Sequence, residues 1–164
     1  MRRLDIKQIT LALIISSLTL TFTGCSGAGP NAATRLVKQI TDGSEAKVLT
    51  DGNDLRIVNT LLVATEDGSA VVVGTIVNAA ETADTLLGIY AGGTQAKITG
   101  ETTLNQNQPI IFEGDSATTK GVFAGVGAEP GKHVTVTFAF ARAGKVSLDV
   151  IIRDKRDDYA KVTA

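Results

Sequence analysis

The chain has 164 residues, a formal net charge of −1, 43% hydrophobic and only 4% aromatic residues, with one cysteine, one histidine, one methionine and no tryptophan. That inventory excludes a disulfide framework and any site built from several Cys, His or Met ligands. A near-neutral charge with few stacking faces also excludes an ordinary nucleic-acid binder, which needs a basic footprint.

In chain order, Met1-Arg2-Arg3-Leu4-Asp5-Ile6-Lys7 is a positively charged start, and from Ile9 to Phe22 no charge occurs. This reads as the n-region and h-region of an export signal; the run is shorter than the ~20 apolar residues of a bilayer span. It leads into Phe22-Thr23-Gly24-Cys25, which resembles the bacterial lipobox: a small residue, Gly24, before a cysteine whose thiol is lipidated and at whose amino side the signal is cut. Phe22 stands where the pattern has leucine. The expectation is residues 1–24 as a lipoprotein signal peptide, 25–45 as lipidated Cys25 with a Gly/Ala/Ser/Pro tether, 46–153 as the folded domain and 154–164 as a charged tail. Removal of 1–24 takes away Met1, Arg2, Arg3 and Lys7 against only Asp5, so the remainder is more acidic and free of methionine. Two acyl chains anchor stably where one does not, at ~0.8 kcal/mol per buried methylene. The expected location is the extracytoplasmic face of the cell membrane, with the lipid on Cys25 as the membrane contact.

Asn31 to Ile40 offers a helical turn with Leu36, Val37 and Ile40 on one side. Beyond it, period-2 patterning dominates. Leu55, Ile57, Asn59, Leu61 and Val63 alternate with Arg56, Val58, Thr60 and Leu62; the turn Glu66 to Ser69 leads to Ala70–Val77, apolar on both faces like a central strand. Asp84–Tyr90, Gln95–Leu104, Pro109–Phe112 and Thr119–Gly125 read as further β segments. In the last pair, Val134, Val136, Phe138 and Phe140 share one face, Val146, Leu148, Val150 and Ile152 the other strand's matching face, with Ala141–Gly144 as the hairpin loop. Arg153 to Lys161 reads as a solvated extension or frayed tail. About eight strands separated by turn residues predict an all-β antiparallel sandwich, immunoglobulin-like or cupredoxin-like.

Three stretches together resemble a family: Leu55–Ala64, then Gly68–Asn78 with Asp84–Ile89, and finally Pro130–Phe138 with Ala141–Leu148. They are similar to the PCuAC-type periplasmic copper chaperones, and more so to their relatives among actinobacterial LpqE-like lipoproteins. The resemblance spans Leu55 to Ile152 and implies the same sandwich, an extracytoplasmic lipid-anchored location and an association with copper delivery. It further implies a His–Met pair, another Met and a late His-x-Met as copper(I) donors, soft ligands for a soft ion. At the corresponding segments this chain reads Ala96-Lys-Ile-Thr-Gly-Glu101 and Thr119-Lys-Gly-Val-Phe-Ala124. His133 lies in the Pro130–Val134 turn, away from the family's ligand position, and is read as a turn residue.

Other chemistries find little support. His133 has no nucleophile motif around it, Glu66-Asp67 and Asp157-Asp158 are adjacent turn carboxylates, and Asp42, Glu45, Asp51 and Asp54 lack the ordered alternation of an EF-hand. Gly121, Gly125 and Gly127 do not open a helix after a strand, as a dinucleotide loop requires. The expectation is therefore no catalytic residues, no cofactor and no metal site. Function is expected to be that of a non-catalytic binding or scaffolding module meeting an envelope protein, glycan or lipid, with metal handling through other ligands as the second possibility.

Overall fold

A computed structural model describes residues 42–164, and within them lies an all-β domain with no α-helix. The lipobox residues Gly24 and Cys25 and the Asn31–Ile40 turn fall outside the described residues. Eleven strands form the domain: β1 (Ser44–Val48), β2 (Leu55–Ala64), β3 (Ala70–Asn78), β4 (Asp84–Ala91), β5 (Thr94–Gln95), β6 (Lys97–Gly100), β7 (Thr103–Leu104), β8 (Ile110–Ile111), β9 (Thr119–Phe123), β10 (His133–Phe140) and β11 (Lys145–Arg153). The hydrogen-bonded order is β5-β4-β10-β11-β2-β3-β9-β6, with β1 on β2, β7 on β4 and β8 on β3.

The path begins on β5 and ends on β6, and these two are separated in sequence by Ala96 alone. Ala96 donates its N–H to Ile89 O of β4 at 2.8 Å while Lys97 pairs with Val122 of β9. One kinked strand thus bridges both halves, and the sandwich closes almost into a barrel. The expected β stretch Gln95–Leu104 is broken into three pieces because it changes partner along its length, from β4 to β9 and back to β4. All named pairings are antiparallel except β11 with β2, where Ile152 stands beside Leu62 and Arg153 beside Val63.

The closing hairpin follows its alternation. Val136, Phe138 and Phe140 of β10 and Leu148, Val150 and Ile152 of β11 are buried in the main core, joined there by Phe112 and Phe123. Phe140 N–H donates to Gly144 O at 2.7 Å across the loop, and Gly144 takes φ +75°.

Strand β2 departs from the expected pattern. Leu55 and Ile57 face the core as anticipated, but beyond Asn59 the inward residues are Leu62 and Ala64, while Leu61 and Val63 turn to the opposite face. The cause is a bulge: Val58 pairs with Thr75 and Leu61 with Val73, leaving Asn59 and Thr60 opposite Gly74. One extra residue swaps every later side chain to the other face. Asn59 adopts φ +51°, a left-handed conformation asparagine tolerates, and its Oδ1 accepts the N–H of Gly43 at 3.0 Å. Opposite it, a Cβ on Gly74 would come within 3.0 Å of Thr60 Oγ1, so the bulge needs glycine there.

The flip creates a second, smaller apolar cluster on the outer face, made of Leu61, Val63, Val71 and Val162, with Val73, Val122, Ile151 and Tyr159 against it. Val162 belongs to the segment after β11, expected as a frayed or solvated extension. Instead that segment turns through a short 3-10 element, Asp157–Tyr159, and lays Val162 on the sheet with only 4% of it exposed. An aliphatic face that would otherwise meet water supplies the driving force.

Candidate functional site: an end cleft and the paired strands beside it

At one end of the sandwich, two glycine-bearing connections frame an open cleft of about 450 Å³. The β4–β5 loop is Gly92-Gly93, with φ +54° and +83°; Ala91 and Thr94 pair directly across it, so both central residues must be left-handed, as in a tight two-residue hairpin. The β9–β10 connection carries Gly125, Gly127 and Gly131, all at positive φ, and Gly127 N–H ties it to Gly68 O of the β2–β3 turn at 3.2 Å.

Phe123, Leu62 and Ile152 make the floor of the cleft, and Glu129, Lys132 and His133 its rim. Lys132 Nζ lies 2.5 Å from Glu129 Oε2, and His133 Nδ1 lies 3.0 Å from Asp149 Oδ2. His133 pairs across the ladder with Ile151, so Asp149 is its diagonal neighbour on the outer face. More than half of the His133 side chain is exposed, and it opens the strand as the turn reading expected. An apolar floor under a rim of internally paired charges suits binding by contact and hydrogen bonding. It places no base against a nucleophile.

The segments matched to the copper donors lie side by side. Strands β6 and β9 pair antiparallel, with Ile98 opposite Gly121, Thr99 opposite Lys120 and Gly100 opposite Thr119. Topology therefore brings these two stretches together, carrying Lys, Ile, Thr, Val and Phe side chains. His133 sits on β10, hydrogen-bonded to β4 and β11 and to neither of these strands. Gly121 faces inward, where a Cβ would lie 3.2 Å from Val72 Cγ2; packing, not phosphate binding, accounts for it.

Three of the scattered carboxylates, Asp42, Asp54 and Asp67, are occupied locally. Asp42 Oδ2 meets Arg153 at 2.7 Å. Asp54 takes Arg56 in both hydrogen bonds, 2.9 and 3.0 Å, and the guanidinium holds its carboxyl below the ordinary carboxylate range. Asp51 sits at φ +55° in the β1–β2 turn, and Glu45 is exposed on β1. Asp67, next to Glu66, accepts from the Thr65 hydroxyl and from Ser69 N–H, which lower its pKa in that order and brace the β2–β3 turn. Asp157 and Asp158 begin the 3-10 element. No group of three or more His, Cys, Asp or Glu side chains able to hold a metal ion occurs among the described residues, and no helix among them is long and apolar enough to cross a membrane.

Two features had no readable motif. The end cleft is lined by a loop whose only sequence signal is its glycines and Pro130. Asp84 is buried to 4% exposure, with its Oδ1 accepting N–H groups of Thr85 at 2.7 Å and Arg142 at 2.8 Å and its Oδ2 that of Ala143 at 3.0 Å. It pins the β10–β11 loop to the start of β4.

No protein-family model matches the chain, and no curated protein does. Solved structures do. The apo PCuAC domain from PmoF1 is 24% identical with a TM-score of 0.55, covering 68% of this chain and 99% of that one. The copper-bound PCuAC domain from PmoF2 is 17% identical with a TM-score of 0.55, over 68% of this chain and 98% of that one. The apo PmoF2 domain is 16% identical, with a TM-score of 0.52 over 63% and 92%. The chain has a PCuAC-like fold.

Proposed function

We propose that this protein is a lipoprotein held on the extracytoplasmic face of the membrane through Cys25, whose PCuAC-like sandwich acts as a non-catalytic binding module of the cell envelope. The observation that carries the reading is the β6–β9 pair: the fold is that of copper-handling domains, yet the segments it brings together hold no His, Met or Cys. A soft ion finds no thioether or imidazole there. The end cleft, with its apolar floor and paired rim, is the surface assigned to the ligand, and the Cys25 lipid is the membrane contact.

Copper handling through other donors is the second reading, favoured by the copper-bound state of one structural neighbour. Thermal unfolding with and without Cu(I) separates the two. A ligand that binds only the folded state stabilises by RT ln(1 + [L]/Kd), about 2.7 kcal/mol at a hundredfold excess over Kd. Under the first reading the midpoint stays put; a rise of several degrees at stoichiometric Cu(I) transfers the assignment to the second. For the anchor, Cys25→Ser is expected to leave the precursor unprocessed or to release the protein from the membrane fraction. Normal processing with full membrane retention of that variant rules out the anchor.

A further inference from the structure

The face of β4, β10 and β11 turned away from the core carries a row of uncharged polar side chains. Register places Gln95 opposite Tyr90, Tyr90 opposite Thr137 and Thr137 opposite Ser147, so one row crosses four strands. Their chain neighbours Ala96, Ile89, Phe138 and Leu148 belong to the main core, and alternation therefore turns the row outward. Gln95 and Ser147 are exposed, Tyr90 and Thr137 partly so. At ~4.8 Å between strands the row is about 14 Å long.

Tyr90 does not stand off the sheet. It leans back along β4 over Gly88, where an added Cβ would lie 2.8 Å from Tyr90 Oη and 2.9 and 3.0 Å from Cε2 and Cζ. Gly88 is buried in consequence, while Tyr90 keeps part of its surface in water. Ala139 stands opposite Gly88, and the bulge between β4 and β10 extrudes the adjacent Leu87 to 60% exposure. A reclined ring thus lies beside groups that hydrogen-bond. Thr137 Oγ1 and Ser147 Oγ are 2.8 Å apart, and either can donate. The Tyr90 hydroxyl and the Gln95 carboxamide have no hydrogen-bond partner among the described residues. On β11 the row is bordered by Lys145 and Asp149, one charge of each sign, and Asp149 is paired with His133.

We infer that this face is a binding surface for an uncharged, extended oligosaccharide laid along the row. Sugar hydroxyls both donate and accept, as the hydroxyl and amide groups of the row do. The C–H face of a sugar ring packs on an aromatic face that is apolar in its body and polar at its tip. The row has no net charge, so it attracts neither an acidic nor a basic polymer. A protein partner would need about 800 Å² on this side with an apolar centre, whereas here Tyr90 and Leu87 are the only large apolar bodies beside hydroxyls. Lacking walls, the face takes a chain along its length in place of a single terminal sugar. The inference is independent of copper and of the end cleft.

The chain has two tyrosines and no tryptophan, so Tyr159→Phe leaves Tyr90 as the sole emitter and makes tyrosine fluorescence a reporter of the row itself. Titration of the full chain carrying Tyr159→Phe with cellohexaose, and separately with the N-acetylglucosamine hexamer, is expected to give a saturable change with at least one of them. Adding Gly88→Ala lifts the ring while keeping every hydroxyl, and is expected to weaken that binding at least fivefold. A hexamer of galacturonate, similar in length but anionic, is expected to bind at least tenfold more weakly than the better neutral hexamer. No saturable change with either neutral hexamer, unchanged affinity in Gly88→Ala, or galacturonate binding as tight as the neutral hexamers overturns the inference. If Gly88→Ala loses its β circular dichroism, Tyr90→Ala measured by calorimetry against the unsubstituted chain replaces it. A loss of at least tenfold then supports the inference, and unchanged affinity overturns it.

Discussion

Asp84 concentrates more of the domain's integrity than its single position suggests. A carboxylate that is almost fully buried is costly unless its oxygens are satisfied, and here three backbone N–H groups from β4 and the β10–β11 loop satisfy them. Asp84→Ala leaves those donors unpaired and is expected to cost about 3 kcal/mol, each bond to a charged group contributing ~1.5–3 kcal/mol. Asp84→Asn keeps one acceptor oxygen and is expected to lose less. Urea unfolding of both variants checks the order; equal midpoints for wild type and Asp84→Ala refute the role. Sequence patterning showed Asp84 only as the polar start of a strand, because nothing local reports that a loop nearly sixty residues away supplies its donors.

At the scale of elements, the segment 157–163 after β11 is the marginal one. Ordering a residue's backbone costs ~1–2 kcal/mol, whereas fully burying a valine returns ~1.5–3 kcal/mol, so seven residues held through Val162 and a half-buried Tyr159 depend on the outer apolar cluster they cover. Burial first, then the negative charges of Asp42 and Asp158 against the opposing Arg153, raise the Tyr159 phenol above its ordinary 10.0. A raised pKa favours the protonated form in the folded state, so the stability it contributes is complete below pH 10 and is lost as pH rises through the folded value. Phenolate absorbance is expected to show a late step that disappears in Tyr159→Phe, and the fall in stability above pH 10 is expected to shrink in that variant. An unchanged titration refutes this.

The same element shows where patterning stops working. In the β10–β11 hairpin, alternation runs unbroken for eight or nine residues and the buried faces are legible residue by residue. In β2 the alternation holds only as far as Ile57. Asn59 is the signal of the break, a turn-tolerant amide at an inward position, but the flip depends on Gly74 across the ladder, a long-range fact. The burial of Val162 was illegible for the same reason, since the outer cluster it joins exists only after the flip.

For the whole molecule, fold class was legible because strands with apolar faces at short spacing leave few architectures open. The end cleft was not, because glycine-rich loops carry no periodicity and their convergence depends on topology.

Closure through Ala96 has a consequence for crowding. Were the proposed anchor to hold copies on one surface, they would collide far more often than in solution, and open strand edges turn such collisions into continuous sheets. Here the path ends on β5 and β6, two and four residues long, and the strands off it, β1, β7 and β8, have five, two and two. Encounters between neighbours therefore meet short terminal strands, which offer little backbone template for a continuing sheet.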